Sequence, residues 1–125
     1  MPGNLYETIR ARGAPRTVDD VRKLYEEQDR FQILDVREPY EWEAGHIQNA
    51  IHIPLADVMA GNESGRLDRH RPVVVVCKVG SRSELASLML QARGFDAQNL
   101  EGGTEAWMAA GLPLVDSAGA PGKVA

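Results

Sequence analysis

Apolar residues along this chain come in short runs set apart by polar stretches, and the runs follow two spacings. Phe31 to Val36 (FQILDV) and Ala50 to Pro54 (AIHIP) are short, apolar and partly β-branched, so each predicts a buried strand, the second closed by Pro54. Val73 to Cys77 is the clearest strand, because four consecutive valines suit the centre of a sheet covered on both faces. Phe95 to Leu100 predicts one more. Helical spacing fills the intervals. Val18, Val21, Leu24 and Tyr25 share a helical face behind Thr17, an N-cap candidate with Asp20 at the capping-box position. Leu85, Leu88, Met89 and Ala92 recur at i, i+3, i+4 and i+7 in a helix read from Ser83, with Gly94 just past its end. Gly102 and Gly103 predict a tight turn, and Thr104 to Ala110, carrying Trp107, a last helix.

The connections are polar. Arg37 to Gly45 contains a proline and has room for a short helix, Leu55 to Ala60 for one or two turns, and Gly61 to Arg71 is a charged loop. Residues 1–15 read as an N-terminal arm, and residues 116–125, rich in small residues, Gly and Pro, as a flexible tail. Between them, residues 16–115 alternate strand with helix. That order predicts an α/β domain whose parallel sheet is flanked by helices on both faces.

Composition narrows the class. A chain of 125 residues holds one ordinary domain, and 43% hydrophobic with 26% charged residues is globular rather than disordered. The net charge of -4, with both signs interspersed, argues against a nucleic-acid or anionic-membrane surface. The single cysteine excludes an internal disulfide and suits a reducing compartment. Met1 to Leu5 lacks the layout of a signal peptide, and the valine run is far short of the roughly 20 apolar residues a membrane span needs. The expected location is cytoplasmic.

The candidate chemistry sits where the strongest strand ends. Cys77 follows the valines and precedes a helix, the place where ligand sites form in open α/β sheets. The stretch Cys77-Lys78-Val79-Gly80-Ser81-Arg82-Ser83 is short and holds a glycine, so its N–H groups can curl into an anion nest beside the positive end of the next helix. A thiol there should titrate below the free value of about 8.5. Lys78 and Arg82 add positive charge to the rim. Most free cysteines are simply small buried hydrophobes. The glycine, the two basic residues and the helix turn the reading toward a reactive thiolate.

At these residues a resemblance becomes specific. Cys77 to Ser83 (CKVGSRS) resembles the active-site loop of the rhodanese-like sulfurtransferases. Leu34 to Glu38 (LDVRE), Tyr40 to Ala50 (YEWEAGHIQNA) and Gly102 to Pro113 (GGTEAWMAAGLP) are similar to three further segments of that family, in the same order, so the likeness covers about residues 16–114. It implies a five-stranded parallel sheet and a persulfide formed on Cys77. By that analogy Cys77 takes sulfur from an anionic donor such as thiosulfate and passes it to an external thiol, cyanide or a protein acceptor. The loop amides and Arg82 would stabilise the anions, with Lys78 as a second source of attraction. No cofactor is implied.

Other residues have competing readings. Asp35 could orient the loop or cap the next turn; Arg37 could hold the donor, but pairing with Glu41 or Glu38 is favoured. His46 reads as part of a structural turn. His46, His52 and His70 with one cysteine show no metal spacing, so no metal is expected. Trp107 and Met108 read as core, and Arg66, Arg69, His70 and Arg71 as a solvated basic loop that could also dock a partner. Asn49 stands where the family usually has glycine; asparagine tolerates the left-handed backbone region better than most residues, so the turn is expected to survive. Two alternatives share the loop. A cysteine phosphatase of the cell-cycle type resembles this fold but has five residues between cysteine and arginine, where four stand here. A non-catalytic interaction module would not need Cys77, Gly80 and Arg82 together.

Overall fold

The computed structural model describes residues 17–20 and 31–125. The arm at 1–15 and the apolar face at Val21, Leu24 and Tyr25 lie outside these. Thr17 does cap a helical turn: its Oγ1 accepts from Asp20 N (3.2 Å), and Asp20 Oδ2 accepts from Thr17 N (3.4 Å). Beyond it run β1 (Gln32–Asp35), α1 (Pro39–Ala44), β2 (Ile51–His52), α2 (Leu55–Met59), β3 (Val73–Val76), α3 (Ser81–Ala92), β4 (Ala97–Asn99) and α4 (Gly103–Ala109). The fold is α/β, as the alternation predicts. Strand and helix ends lie within two residues of those read in the sequence.

The strands pair in parallel in the order β2-β1-β3-β4. The described residues contribute four strands, where the resemblance implies five. Period-two alternation divides the side chains between two cores. Val74 and Val76 join Ile33, Leu100 and Trp107 on one face. Val73 and Val75 join Leu34, Val58, Ala86 and Leu90 on the other. β3 is therefore buried on both sides, which is why four valines in succession are tolerated there. Among the described residues no helix is long and apolar enough to cross a membrane.

Two expectations change. α3 does not bury Leu85 and Leu88, which are 44% and 58% exposed; it buries Ser83, Ala86, Ser87 and Leu90. The helix is rotated because small residues let its axis come close to the sheet, and because Ser83 is bonded to Cys77 and Asn99. Ser87 satisfies its own hydroxyl on Ser83 O (2.7 Å). The segment expected as a flexible tail from 116 is bonded to the domain. Val115 pairs with His46, Ser117 N donates to Glu43 O (3.2 Å), and Lys123 N donates to Ala44 O (3.0 Å). Gly45 and Gly122 meet backbone to backbone, where a Cβ on either would overlap the other chain. Val124 packs against the core holding Trp107.

Candidate active site at the Cys77 loop

Cys77 leaves β3 between its neighbours β1 and β4, at the carboxyl edge of the sheet. The main chain of the loop is turned by α4. Thr104 N donates to Cys77 O (2.9 Å) and Glu105 N to Lys78 O (3.1 Å). A planar trans peptide points its carbonyl and N–H in opposite directions, so carbonyls held by α4 leave the N–H groups of Lys78 and Val79 facing away from it. Only glycine fits at 103, because a Cβ there would overlap the Cys77 and Lys78 carbonyls. Gly80 then takes φ 109°, a conformation free of cost only without a side chain, and α3 begins at Ser81.

The sulfur sits inside this turn. Gly80 N donates to Sγ at 3.1 Å, and Ser83 Oγ lies 3.3 Å from it. Cys77 is fully buried. Burial alone raises its pKa, but the Ser83 hydroxyl and the backbone N–H groups of Ser83, Gly80 and Val79 outweigh it. The net effect holds the thiol below its ordinary range. A buried thiol with donors converging on it is poised to ionise, unlike the inert cysteine of an apolar core.

Arg82 does not close the ring over the sulfur. Its guanidinium is bonded fork to fork with Glu41 of α1, Nη1 to Oε1 at 2.7 Å and Nη2 to Oε2 at 2.9 Å. Glu41 is 3% exposed. The Arg82 bond pulls its carboxyl below the usual range, against burial, while Glu41 raises Arg82 still further. The charge of Cys77 adds a smaller contribution to that rise. Lys78 is half-buried, Ser81 is exposed, and Val79 stands at the rim, 53% exposed.

Arg37 corrects a second expectation. Its partner is Asp35, bonded through Nε (3.0 and 3.2 Å) and Nη2 (2.8 Å), and not Glu41 or Glu38. Asp35 also accepts from Arg37 N (3.0 Å), so it does cap the turn after β1. Both side chains are sealed, at 1% and 0% exposed. Arg37 Nη2 reaches Gly45 O (2.7 Å), and buried Nη1 has no hydrogen-bond partner among the described residues.

His46 and His52 each stack on Trp42, at 3.6 and 4.8 Å between ring centroids, and each is bonded to a backbone carbonyl. The basic loop is stitched down: Arg66 to His52 O, Arg69 to Arg93 O, and Arg71 to Phe31 O. Asn49 has φ 69°, the left-handed conformation its place requires. Sequence reasoning missed Glu41, Asn99, and the α4 amides as parts of the site. Glu41 looks no different from Glu38 or Glu43 in sequence; only the glycine pair hinted at the close approach of α4.

Residues 17–110 match the family described as the rhodanese-like domain. A thiosulfate sulfurtransferase, GlpE, of Vibrio cholerae is 33% identical over 70% of this chain and 82% of its own. A probable adenylyltransferase/sulfurtransferase, MoeZ, of Mycobacterium tuberculosis is 35% identical over 78% of this chain, which spans only 25% of that larger protein. The crystal structure of a rhodanese-related protein from Thermoplasma volcanium superposes with a TM-score of 0.71 at 33% identity, covering 82% of this chain and 97% of that one.

Proposed function

The chain belongs to the rhodanese-like domain family, and on that premise we propose that it moves sulfane sulfur through a persulfide on Cys77. The donor is a small sulfur anion such as thiosulfate, and the acceptor an external thiol or a sulfur-accepting protein. The observation that carries this reading is the convergence of Gly80 N–H and the Ser83 hydroxyl on Sγ, with the thiol held below its ordinary range.

The chemistry is two displacements. The Cys77 thiolate attacks the outer sulfur of thiosulfate; the new S–S bond forms as the old one breaks, and sulfite leaves with the electron pair. An acceptor thiolate then attacks the outer sulfur of the persulfide, and Cys77 departs as thiolate. No oxidant is consumed. With one cysteine in the chain, the persulfide has no internal resolving thiol, so the acceptor comes from outside. The loop from Lys78 to Ser83 supplies the anion-binding surface: inward amides at the sulfur, Lys78 and Arg82 at longer range. Asp35 and Arg37 hold the neighbouring turn.

Intact-mass measurement after incubation with thiosulfate tests this. One added sulfur that a reductant removes is expected in the native chain, and none in Cys77→Ser of unchanged fold. A native chain that takes up no sulfur, or a variant that loads normally, refutes the reading.

A further inference from the structure

Ser83 Oγ faces two groups that compete for its one proton. It lies 3.3 Å from Cys77 Sγ and is bonded to Asn99 Oδ1. With that proton on Asn99, the hydroxyl offers the sulfur a lone pair, which suits a thiol donating S–H. A thiolate has no proton to give and needs the hydroxyl to donate instead. Asn99 Oδ1 would then face an oxygen lone pair. Turning the amide over cures this, because Nδ2–H can donate to Ser83 Oγ while Oγ–H donates to sulfur. Asn99 is placed for it. Its Nδ2 lies beside Gly80, 3.7 Å from where a Cβ would stand, so the amide spans the loop from Gly80 to Ser83.

We infer that Asn99 is a positioning residue acting through Ser83: its amide turns over as Cys77 loses its proton, converting the hydroxyl from acceptor for the thiol into donor to the thiolate. This rests on the persulfide reading above, since only an ionised sulfur needs the second arrangement. Aspartate could not serve, because a carboxylate only accepts and would keep the serine proton from the sulfur. The charged groups on the elements around Cys77 are Lys78 in its own loop, the Asp35–Arg37 pair after β1, Glu41 and the exposed Glu43 on α1, Arg82 and the exposed Glu84 on α3, and the exposed Glu105 on α4. Arg82 and Glu41 neutralise one another, as do Asp35 and Arg37, and the remaining charges reach water, Lys78 in part and Glu43, Glu84 and Glu105 fully; the hydroxyl at the sulfur and the amide bonded to it are left to follow the sulfur's charge.

Nuclear magnetic resonance of the native protein reads this directly. The Asn99 side-chain N–H signals should titrate with the same midpoint as alkylation of Cys77, and should stay flat in Ser83→Ala. Asn99→Asp should slow alkylation at pH 7 about tenfold or more, corresponding to a rise of about one pH unit in the midpoint. In the Ser83→Ala background the same substitution should slow it by less than about threefold, since the serine it acts through is gone. Equal slowing in both backgrounds would reduce the effect to bare charge and overturn the inference, as would native Asn99 signals that do not move. Sulfur loading is followed separately by intact mass. A native chain that loads sulfur while Asn99 stays still refutes the switch alone; one that never loads refutes the function beneath it.

Discussion

The turns that leave β1 and β3 lie side by side at the same sheet edge, yet they handle charge in opposite ways. After β1, a full positive and a full negative charge are buried together, Arg37 on Asp35, and cancel within one turn. After β3, the buried group is a single sulfur met by main-chain N–H dipoles and a hydroxyl. The arginine of that loop is turned to Glu41 at the rim. Paired ions at this edge set shape, and uncharged dipoles hold the thiol below its ordinary range. A main-chain N–H held by the fold needs no reorientation when charge develops, whereas a free cation beside the sulfur would have to be desolvated first.

Removing one partner of the sealed pair should have the largest effect. Arg37→Ala strands a buried carboxylate and should destabilise the fold by about 3–5 kcal/mol in denaturant unfolding, while Arg37→Met with Asp35→Leu should cost far less. If the double replacement is as damaging as the single one, the two turns are not the contrasting cases described. Gly103→Ala should come next. Its methyl would push α4 off the Cys77 and Lys78 carbonyls, costing about 1–3 kcal/mol. The midpoint of Cys77 alkylation should also rise toward the free value of about 8.5. Unfolding without that rise would mean α4 does not orient the loop amides.

Glu41→Gln should be milder, about 1 kcal/mol, because the Arg82 side of the pair is partly exposed. Its signature is the pH dependence. Arg82 lowers the Glu41 pKa in the folded chain, so this ion pair contributes fully above the unfolded value of about 4.3 and fades as pH falls through the folded one. Acid unfolding of Glu41→Gln should lack that component. Lys78→Ala should do least: an unchanged thiol midpoint, and thiosulfate capture slowed by less than about tenfold, the difference vanishing in high salt. A shifted midpoint there would return the control of the sulfur to charge.

The site was legible in proportion to how local its causes are. Cys77, Gly80 and the following helix are contiguous, and a thiol after a buried strand announces itself by position. Asn49 was equally readable, since the left-handed region admits few residues. The face of α3 was misread because the periodic leucines outscore Ser83 and Ala86 in any hydrophobic count. Its rotation is set by the serine held at the sulfur and by the close approach of α3 to the sheet. Arg37 was given the wrong partner, and the pairing of Arg82 with Glu41 was not foreseen. Two arginines and several acids stand close in this sequence, and charge alone does not say which pairs meet. The end segment looked loose because small residues mark flexible chain; here they permit backbone contact, as Gly122 does against Gly45.

By itself the order of residues determined the alternation of strands and helices, the doubly buried valine strand and the place of the candidate thiol, Cys77. Each follows from periodicity or from a residue's own chemistry. Only the tertiary structure decided what surrounds the sulfur: α4 turning the carbonyls outward, Glu41 drawing Arg82 away, Asn99 reaching Ser83. Those groups are 16 to 41 residues apart in the bonds that couple them. Direction between such distant groups comes from how the elements dock, which no local pattern encodes.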